Sequence, residues 1–268
     1  MNPTVPAPRL ARIRIYPIKS LDPVEVAEAR MGPSGGLEHD RAWALYSVDG
    51  CWVNGKRTAA VHLIRAAYAP DLSSVTLSVP GDSRNMFTAT LAFPADTERA
   101  AQWFSAYFEQ EIIVRYSADG FPDDALASGP TIVSTASLEA VAEWFGLPVD
   151  DVRLRFRTNL EIDGVPAFWE DQLFAEDPNG MVRFQIGEVN FEGSNPCARC
   201  PVPARDAHTG ADLIGFQKLF AEQRCAQLPA WSPAARFDHF YRLATNTRVP
   251  STEAGKLLRF GDPLVPSS

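Results

Sequence analysis

Residues 195–210, NPCARCPVPARDAHTG, put two thiols (Cys197 and Cys200), an arginine between them and the turn-forming run Asp206-Ala207-His208-Thr209-Gly210 into one segment. Pro201 and Pro203 resist a helical run, so the segment reads as a loop that follows a strand, unlike the helix-opening dithiol of a thioredoxin-like site. A zinc knuckle needs four ligands, and only Cys51, Cys225 and four dispersed histidines could complete one. Two inert buried thiols are a third reading. Arg199 argues for chemistry instead, because a neighbouring cation favours the thiolate, and the thiolate is the form that binds a soft metal.

Outward from the loop, Met181–Ile186 alternates with Val182, Phe184 and Ile186 inward, and Gly193–Pro196 turns the chain into the cysteine pair. Further upstream, Arg153–Ile162 reads as a strand that places Leu154, Phe156, Leu160 and Ile162 on one face. Arg153, Arg155, Arg157 and Asn159 then share the other face. Such a ladder either binds an anion or forms an exposed face paired with acidic neighbours. In the first half, Ile13 and Ile15 alternate with Arg12 and Arg14 until Pro17, which leaves Lys19 and Ser20 at a strand end. Short strands follow at Ala42–Val48, Val75–Val79, Thr88–Phe93 and Ile112–Tyr116, separated by Asp49-Gly50, Asn54-Gly55 and Pro80-Gly81 turns. One helix carries the stripe Ala100, Trp103, Phe104, Tyr107 and Phe108, and that stripe is core packing. A second helix, capped within Ser134–Ser137 and stopped by Gly146 and Pro148, buries Leu138, Val141, Ala142 and Phe145. A third runs around Ile214–Gln223. The turn-rich stretch 117–130 separates two halves, 1–120 and 121–268. The fold class expected is mixed, β-rich α+β.

The chain has 268 residues, 46% of them apolar, and 22 prolines, which suits a loop-rich globular protein of short strands. A net charge of −8 supplies no global field for nucleic acid, so nucleic acid is not the expected partner. The opening residues lack an apolar signal region, and no window reaches the roughly 18 apolar residues of a membrane span. Four cysteines make no disulfide framework, and a cytoplasmic location is expected.

The chain resembles the MOSC-domain proteins that carry an N-terminal MOSC β-barrel region, a family that includes the mitochondrial amidoxime-reducing component and its bacterial relatives. The resemblance rests on Tyr16-Pro17-Ile18-Lys19-Ser20, His39-Asp40-Arg41, Arg57, Arg155-Phe156-Arg157-Thr158-Asn159, Glu170-Asp171, Cys197-Ala198-Arg199-Cys200 and Asp206 to Gly210, in that order. It implies an N-terminal αβ region packed on a C-terminal MOSC β-barrel, with a molybdenum cofactor (a Mo-pyranopterin dithiolene bearing a phosphate) held between them. It further implies that Cys200 supplies the thiolate on the metal and is the catalytic ligand, with Cys197 a bystander. Lys19, Ser20, Arg41, Arg157, Asn159, Ala198 and Arg199 are the implied cofactor contacts. Thr158, Pro201 and Ala207 depart from the family pattern, and Asp124–Pro130 matches too poorly to carry residues over.

The activity implied is two-electron reduction of N-hydroxylated compounds such as hydroxylamines, amidoximes and N-hydroxylated bases, the oxygen leaving as water. No further cysteines follow to hold an iron–sulfur centre, so electrons are expected from a separate redox protein. The alternative is a protein that carries the cofactor, or a sulfur on Cys200, without turnover. A MOSC domain ends the cofactor sulfurases, whose pyridoxal-phosphate half has no counterpart here. A scaffold that has lost the cofactor is the third reading. Trp169, Glu170 and Asp171 are expected to close the pocket or pair with the arginines, and His208 to be a solvated turn histidine. No proton donor is assigned.

Overall fold

Alternation of apolar and basic residues produces the first strand, β1 (Arg9–Ile15), with Leu10, Ile13 and Ile15 in the core and Arg12 paired with Glu25 at 2.8 Å outside it. The computed structural model describes residues 7–123 and 127–266. Part of the opening segment and residues 124–126 of the turn-rich stretch lie outside the described residues.

After β2 (Val24–Val26) and β3 (Glu28–Arg30) come β4 (Trp43–Ser47), β5 (Trp52–Val53), β6 (Arg65–Tyr68), β7 (Ser74–Ser78) and β8 (Ala89–Ala92), then helix α1 (Thr97–Phe108) and β9 (Ile112–Tyr116). These form two three-stranded sheets, β5-β4-β9 and β6-β7-β8. Helix α1 buries Ala100, Trp103 and Phe104 in one core with Leu45, Leu77 and Leu91 of those sheets and Val61 of the 3₁₀ turn Ala59–Leu63, so its aromatic stripe is core, as its period predicts.

The second half contains β10 (Ile132–Ser134), α2 (Thr135–Phe145), α3 (Val149–Phe156), β11 (Leu160–Asp163), β12 (Val182–Ile186), β13 (Val189–Ala198), α4 (Phe216–Ala226), β14 (Arg242–Arg248), β15 (Leu257–Arg259) and β16 (Leu264–Pro266). Ser134 Oγ accepts the Ser137 N–H at 3.0 Å at the start of α2, and Gly146, at φ 62°, ends it. The main sheet runs β16-β12-β13-β14-β10-β11-β1-β2. The first strands of the chain therefore complete the sheet built by the last ones, and β3 pairs with β15.

Two expectations are corrected. The sheet is open in its strand order, and the isolated bridge of Arg9 to Pro263, with backbone hydrogen bonds of Leu10 to Asp262 and Gly261 and of Leu264 to Pro8, ties β1 to the approach of β16 without making them neighbouring strands, so it is not the closed barrel expected. The stretch Arg153–Ile162 is not one strand, and the arginine ladder does not form. Asp150 and Asp151 occupy the first turn of α3, where they favour the positive end of the helix dipole. They also meet Arg153 at 2.8 Å and Arg155 at 3.0 Å, spacings that only a helix offers. Arg153 continues into a bidentate pair with buried Glu161, at 2.8 and 2.6 Å. Acidic partners thus neutralise two of the three arginines, inside the protein rather than on an exposed face.

Trp169, Glu170 and Asp171 also sit elsewhere than expected. They form a short 3₁₀ turn, Trp169–Leu173, away from the cleft described below. Asp171 pairs with fully buried Arg224, whose guanidinium lies 4.1 Å from the Phe168 ring centroid. Burial and the Asp171 charge push Glu170 up to about 7, and Ser137 Oγ donates to its carboxyl at 2.9 Å. A carboxyl raised on folding contributes stability that is complete below its unfolded value and is lost as pH rises through its folded one. The melting temperature should therefore fall as pH rises from about 5 to about 8. Glu170→Gln should flatten that fall, recovering on the order of 1–3 kcal/mol at the alkaline end, as thermal melts across pH would record.

Candidate functional site

A cleft of about 340 Å³ opens where the ends of β1, α3 and β13 converge. All eight sequence-predicted site residues line it: Lys19, Ser20, Arg41, Arg157, Asn159, Ala198, Arg199 and Cys200. Three of them hold left-handed backbone without being glycine: Ser20 (φ 76°), Arg41 (φ 53°) and Arg157 (φ 55°). Such residues cost on the order of 1 kcal/mol each and persist only where their surroundings hold them. Here Arg41 N–H donates to Tyr16 O at 2.9 Å, and Arg157 caps α3 through its N–H to Arg153 O at 3.0 Å. The left-handed cap turns the Arg157 side chain off the helix and into the cleft wall.

Asp40 joins the segments around this wall. Its Oδ1 accepts the Tyr16 N–H at 2.8 Å, and its Oδ2 accepts Asn159 Nδ2 at 3.1 Å and the Arg41 guanidinium. Burial alone would lower the Arg41 pKa, but Asp40 beside it holds it above its ordinary value. Arg157 is different. It stacks 4.2 Å from the Tyr16 ring centroid and donates to Leu21 O at 2.8 Å, and among the described residues no carboxylate pairs with it. Burial, reinforced by the Arg41 charge, lowers its pKa.

The cysteine loop is held from α3. Arg155 donates to Arg205 O at 2.6 Å and Pro203 O at 3.3 Å, and meets Asp206 at 3.2 Å. Asp206 Oδ1 accepts the His208 and Thr209 N–H groups and the Thr209 hydroxyl, which is what the Asp-x-x-Thr-Gly spacing builds. The turn closes with Ala207 in it, since the bonds that make it come from Asp206 Oδ1. Gly210, at φ 69°, is required, because a Cβ there would lie 2.8 Å from Ala59 O. Arg205 donates to Gly55 O at 2.6 Å and fastens the loop to the first half of the chain.

The two thiols are not equivalent. Arg199 donates to Cys197 Sγ at 3.1 Å and to Phe156 O, so the cation faces Cys197. Cys200, like Cys197, is half-buried in the cleft wall, and Arg199 Nε is buried without a partner among the described residues. Among the described residues no three His, Cys, Asp or Glu side chains are placed to hold a metal, so the zinc-knuckle reading gains no partners.

Sequence reasoning missed His62, Lys56 and Asp123, which also line the cleft. His62 Nε2 lies 3.3 Å from Gly55 O, and burial lowers its pKa. Lys56 follows a predicted turn, but nothing local pairs it with Asp123. His208 does not line the cleft. It is exposed, 2.7 Å from Arg65.

The MOSC N-terminal beta barrel domain matches residues 7–111 and the MOSC domain matches residues 127–264, and the chain belongs to the MOSC family. It is 26% identical over 235 residues to molybdenum cofactor sulfurase of Drosophila grimshawi, covering 76% of this chain and 29% of that protein. It is 25% identical over 234 residues to mitochondrial amidoxime reducing component 2 of Homo sapiens, covering 75% and 68% respectively. The chain thus spans about a third or less of the sulfurases it matches. Among solved structures, the YUAD protein of Bacillus subtilis aligns over 96% of this chain and 95% of its own, at 12% identity and a TM-score of 0.37. Among the described residues, no helix is long and apolar enough to cross a membrane.

Arg155→Lys removes the fork that grips the loop. It should lower stability by about 1–3 kcal/mol in urea and speed amide exchange across residues 201–213 while leaving α2 protected.

Proposed function

We propose that the cleft receives a molybdenum-pterin cofactor, and that the chain uses it to reduce N-hydroxylated compounds with electrons from a separate redox protein. One observation carries this reading: Arg157, a cleft guanidinium with no carboxylate partner among the described residues, stands in the same wall as the half-buried Cys200 thiol. The donor set fits the group. A half-buried guanidinium without a carboxylate partner among the described residues suits a phosphate or pterin oxygen, and one soft thiolate suffices for a metal whose remaining ligands come from the cofactor.

When bound, the cofactor supplies two-electron chemistry at the metal. The protein's part is to bind and orient. Cys200 anchors the metal. Lys19, Arg41, Arg157 and Arg199 offer positive charge to anionic groups, while Ser20, Asn159 and the backbone around Ala198 offer hydrogen bonds. The left-handed backbone at Ser20, Arg41 and Arg157 fixes these groups before anything binds, which reduces the ordering penalty of binding. The net reaction consumes two electrons and two protons per N–O bond and releases an amine, or its amidine or base equivalent, and water. We assign the work to two sequence segments, 1–120 and 121–268, which share the main sheet through β1 and β2, acting in the cytoplasm.

The similarity to cofactor sulfurases favours a second reading, a carrier that holds the cofactor or a sulfur on Cys200 and turns nothing over. Metal and pterin analysis of protein from cofactor-competent cells, with hydroxylamine turnover driven by a reduced viologen, separates the two. The reductase reading expects near-stoichiometric molybdenum and pterin, retained in Cys197→Ser, with turnover lost on the order of 100-fold in Cys200→Ala. Cofactor without turnover would establish the carrier. Absence of both, or zinc lost with either cysteine, would overturn both readings.

A further inference from the structure

At the mouth of the cleft, two lysines from separate segments share one carboxylate oxygen. Lys19 Nζ lies 2.7 Å and Lys56 Nζ 3.2 Å from Asp123 Oδ1. Lys19 is itself buried, donates to Phe121 O at 2.7 Å and sits 4.8 Å from the Trp52 ring centroid, so its ammonium is fixed in place. A single carboxylate neutralises only one of the two ammonium charges. A phosphate monoester dianion would match both.

The segment that brings Asp123 to this position is pinned before it arrives. Ser117 N–H donates to Ala42 O and Phe121 N–H to Arg41 O, each at 2.9 Å, and a Cβ on Gly120 (φ 71°) would lie 2.9 Å from Asp40 O. Asp123 is two residues past the last of these pins. Asp119, on the same segment, also lines the cleft and is exposed, and it forms no ion pair among the described residues. The Asp123 side chain is about half exposed, and Lys19, then Lys56 and Arg41, hold its carboxyl below the usual carboxylate range, so it carries its charge near neutral pH.

We propose that Asp123 is an internal competitor for an external anion: its carboxylate holds the Lys19–Lys56 pair, and a phosphate monoester entering the cleft must displace it to bind there. This rests on the reading that the cleft takes a phosphate-bearing cofactor, and it adds that the protein sets the affinity of that step with its own side chain. Charged groups that do not touch the pair act only through a field that salt screens.

Isothermal titration of inorganic phosphate into the cofactor-free full chain, at fixed ionic strength near pH 7.5, tests this without any turnover. Asp123→Asn should bind phosphate about three- to tenfold more tightly than the wild type, the range expected on removing a competing ion pair of ordinary strength. Asp119→Asn makes the same change of charge on the same segment and should alter affinity less than about twofold. Lys56→Met in the Asp123→Asn background should abolish the gain. Asp123→Ala provides a second route should the Asn variant melt early. In protein loaded with the molybdenum cofactor the phosphate heat should disappear, and its persistence would overturn the assignment of the pair to the cofactor's phosphate. Equal phosphate binding by wild type and Asp123→Asn, or equal gains from Asp123→Asn and Asp119→Asn, would overturn the role of Asp123 and leave the cleft reading standing. No phosphate binding by any variant would overturn both.

Discussion

The carboxylate of Asp40 is the constraint on which the cleft depends. It accepts the backbone N–H of Tyr16, the amide of Asn159 and the guanidinium of Arg41, and so joins the end of the first strand, the segment before β4 and the start of β11. Asn159 extends the junction by donating to Arg14 O at 3.0 Å and accepting the Thr131 N–H at 3.3 Å. Buried polar groups are tolerable only when partnered, and this network is nearly complete. Because it is fixed, the left-handed residues beside it can be fixed too, and the cleft has one shape.

Charge is then distributed by who has a partner. The protein is acidic, yet its cleft is lined with cations, and the acids have been spent selectively. Arg153 has Glu161, Arg155 has Asp151 and Asp206, and Arg41 has Asp40. These three hold the structure together. Among the described residues Arg157 and Arg199 have no carboxylate partner: Arg157 meets the Leu21 carbonyl and the Tyr16 ring, and Arg199 the Cys197 sulfur. A ladder of equivalent arginines would not have made this division. Helix α3 does, by sending Arg153 and Arg155 to different acids and ending at Arg157.

What the sequence made legible follows the range of the signal. The strand end at Lys19 and Ser20, the Asp206 turn and the cysteine loop are each written within a few residues; the first and last line the cleft, and the Asp206 turn braces the loop outside it. Helix α3 was misread because Leu154, Phe156, Leu160 and Ile162 satisfy a strand's parity, although Pro148 with Asp150 and Asp151 carries the signature of a helix start. Nothing in the sequence marks Arg157 as left-handed, since no glycine or asparagine stands there. The pairing of Asp123 with Lys19 and Lys56, and the contacts of Arg9 and Leu10 with residues 261–263, are long-range with no local trace.

We assign the metal to Cys200, and not to the arginine-held Cys197, beside guanidiniums that have no carboxylate partner among the described residues. Diffraction from crystals of cofactor-replete protein, collected on either side of the molybdenum absorption edge, tests it most directly. The account predicts one anomalous peak within bonding distance of Cys200 Sγ, with pterin density reaching toward Arg157. A peak on Cys197, a peak away from both thiols, or none in protein whose bulk analysis shows molybdenum would contradict it.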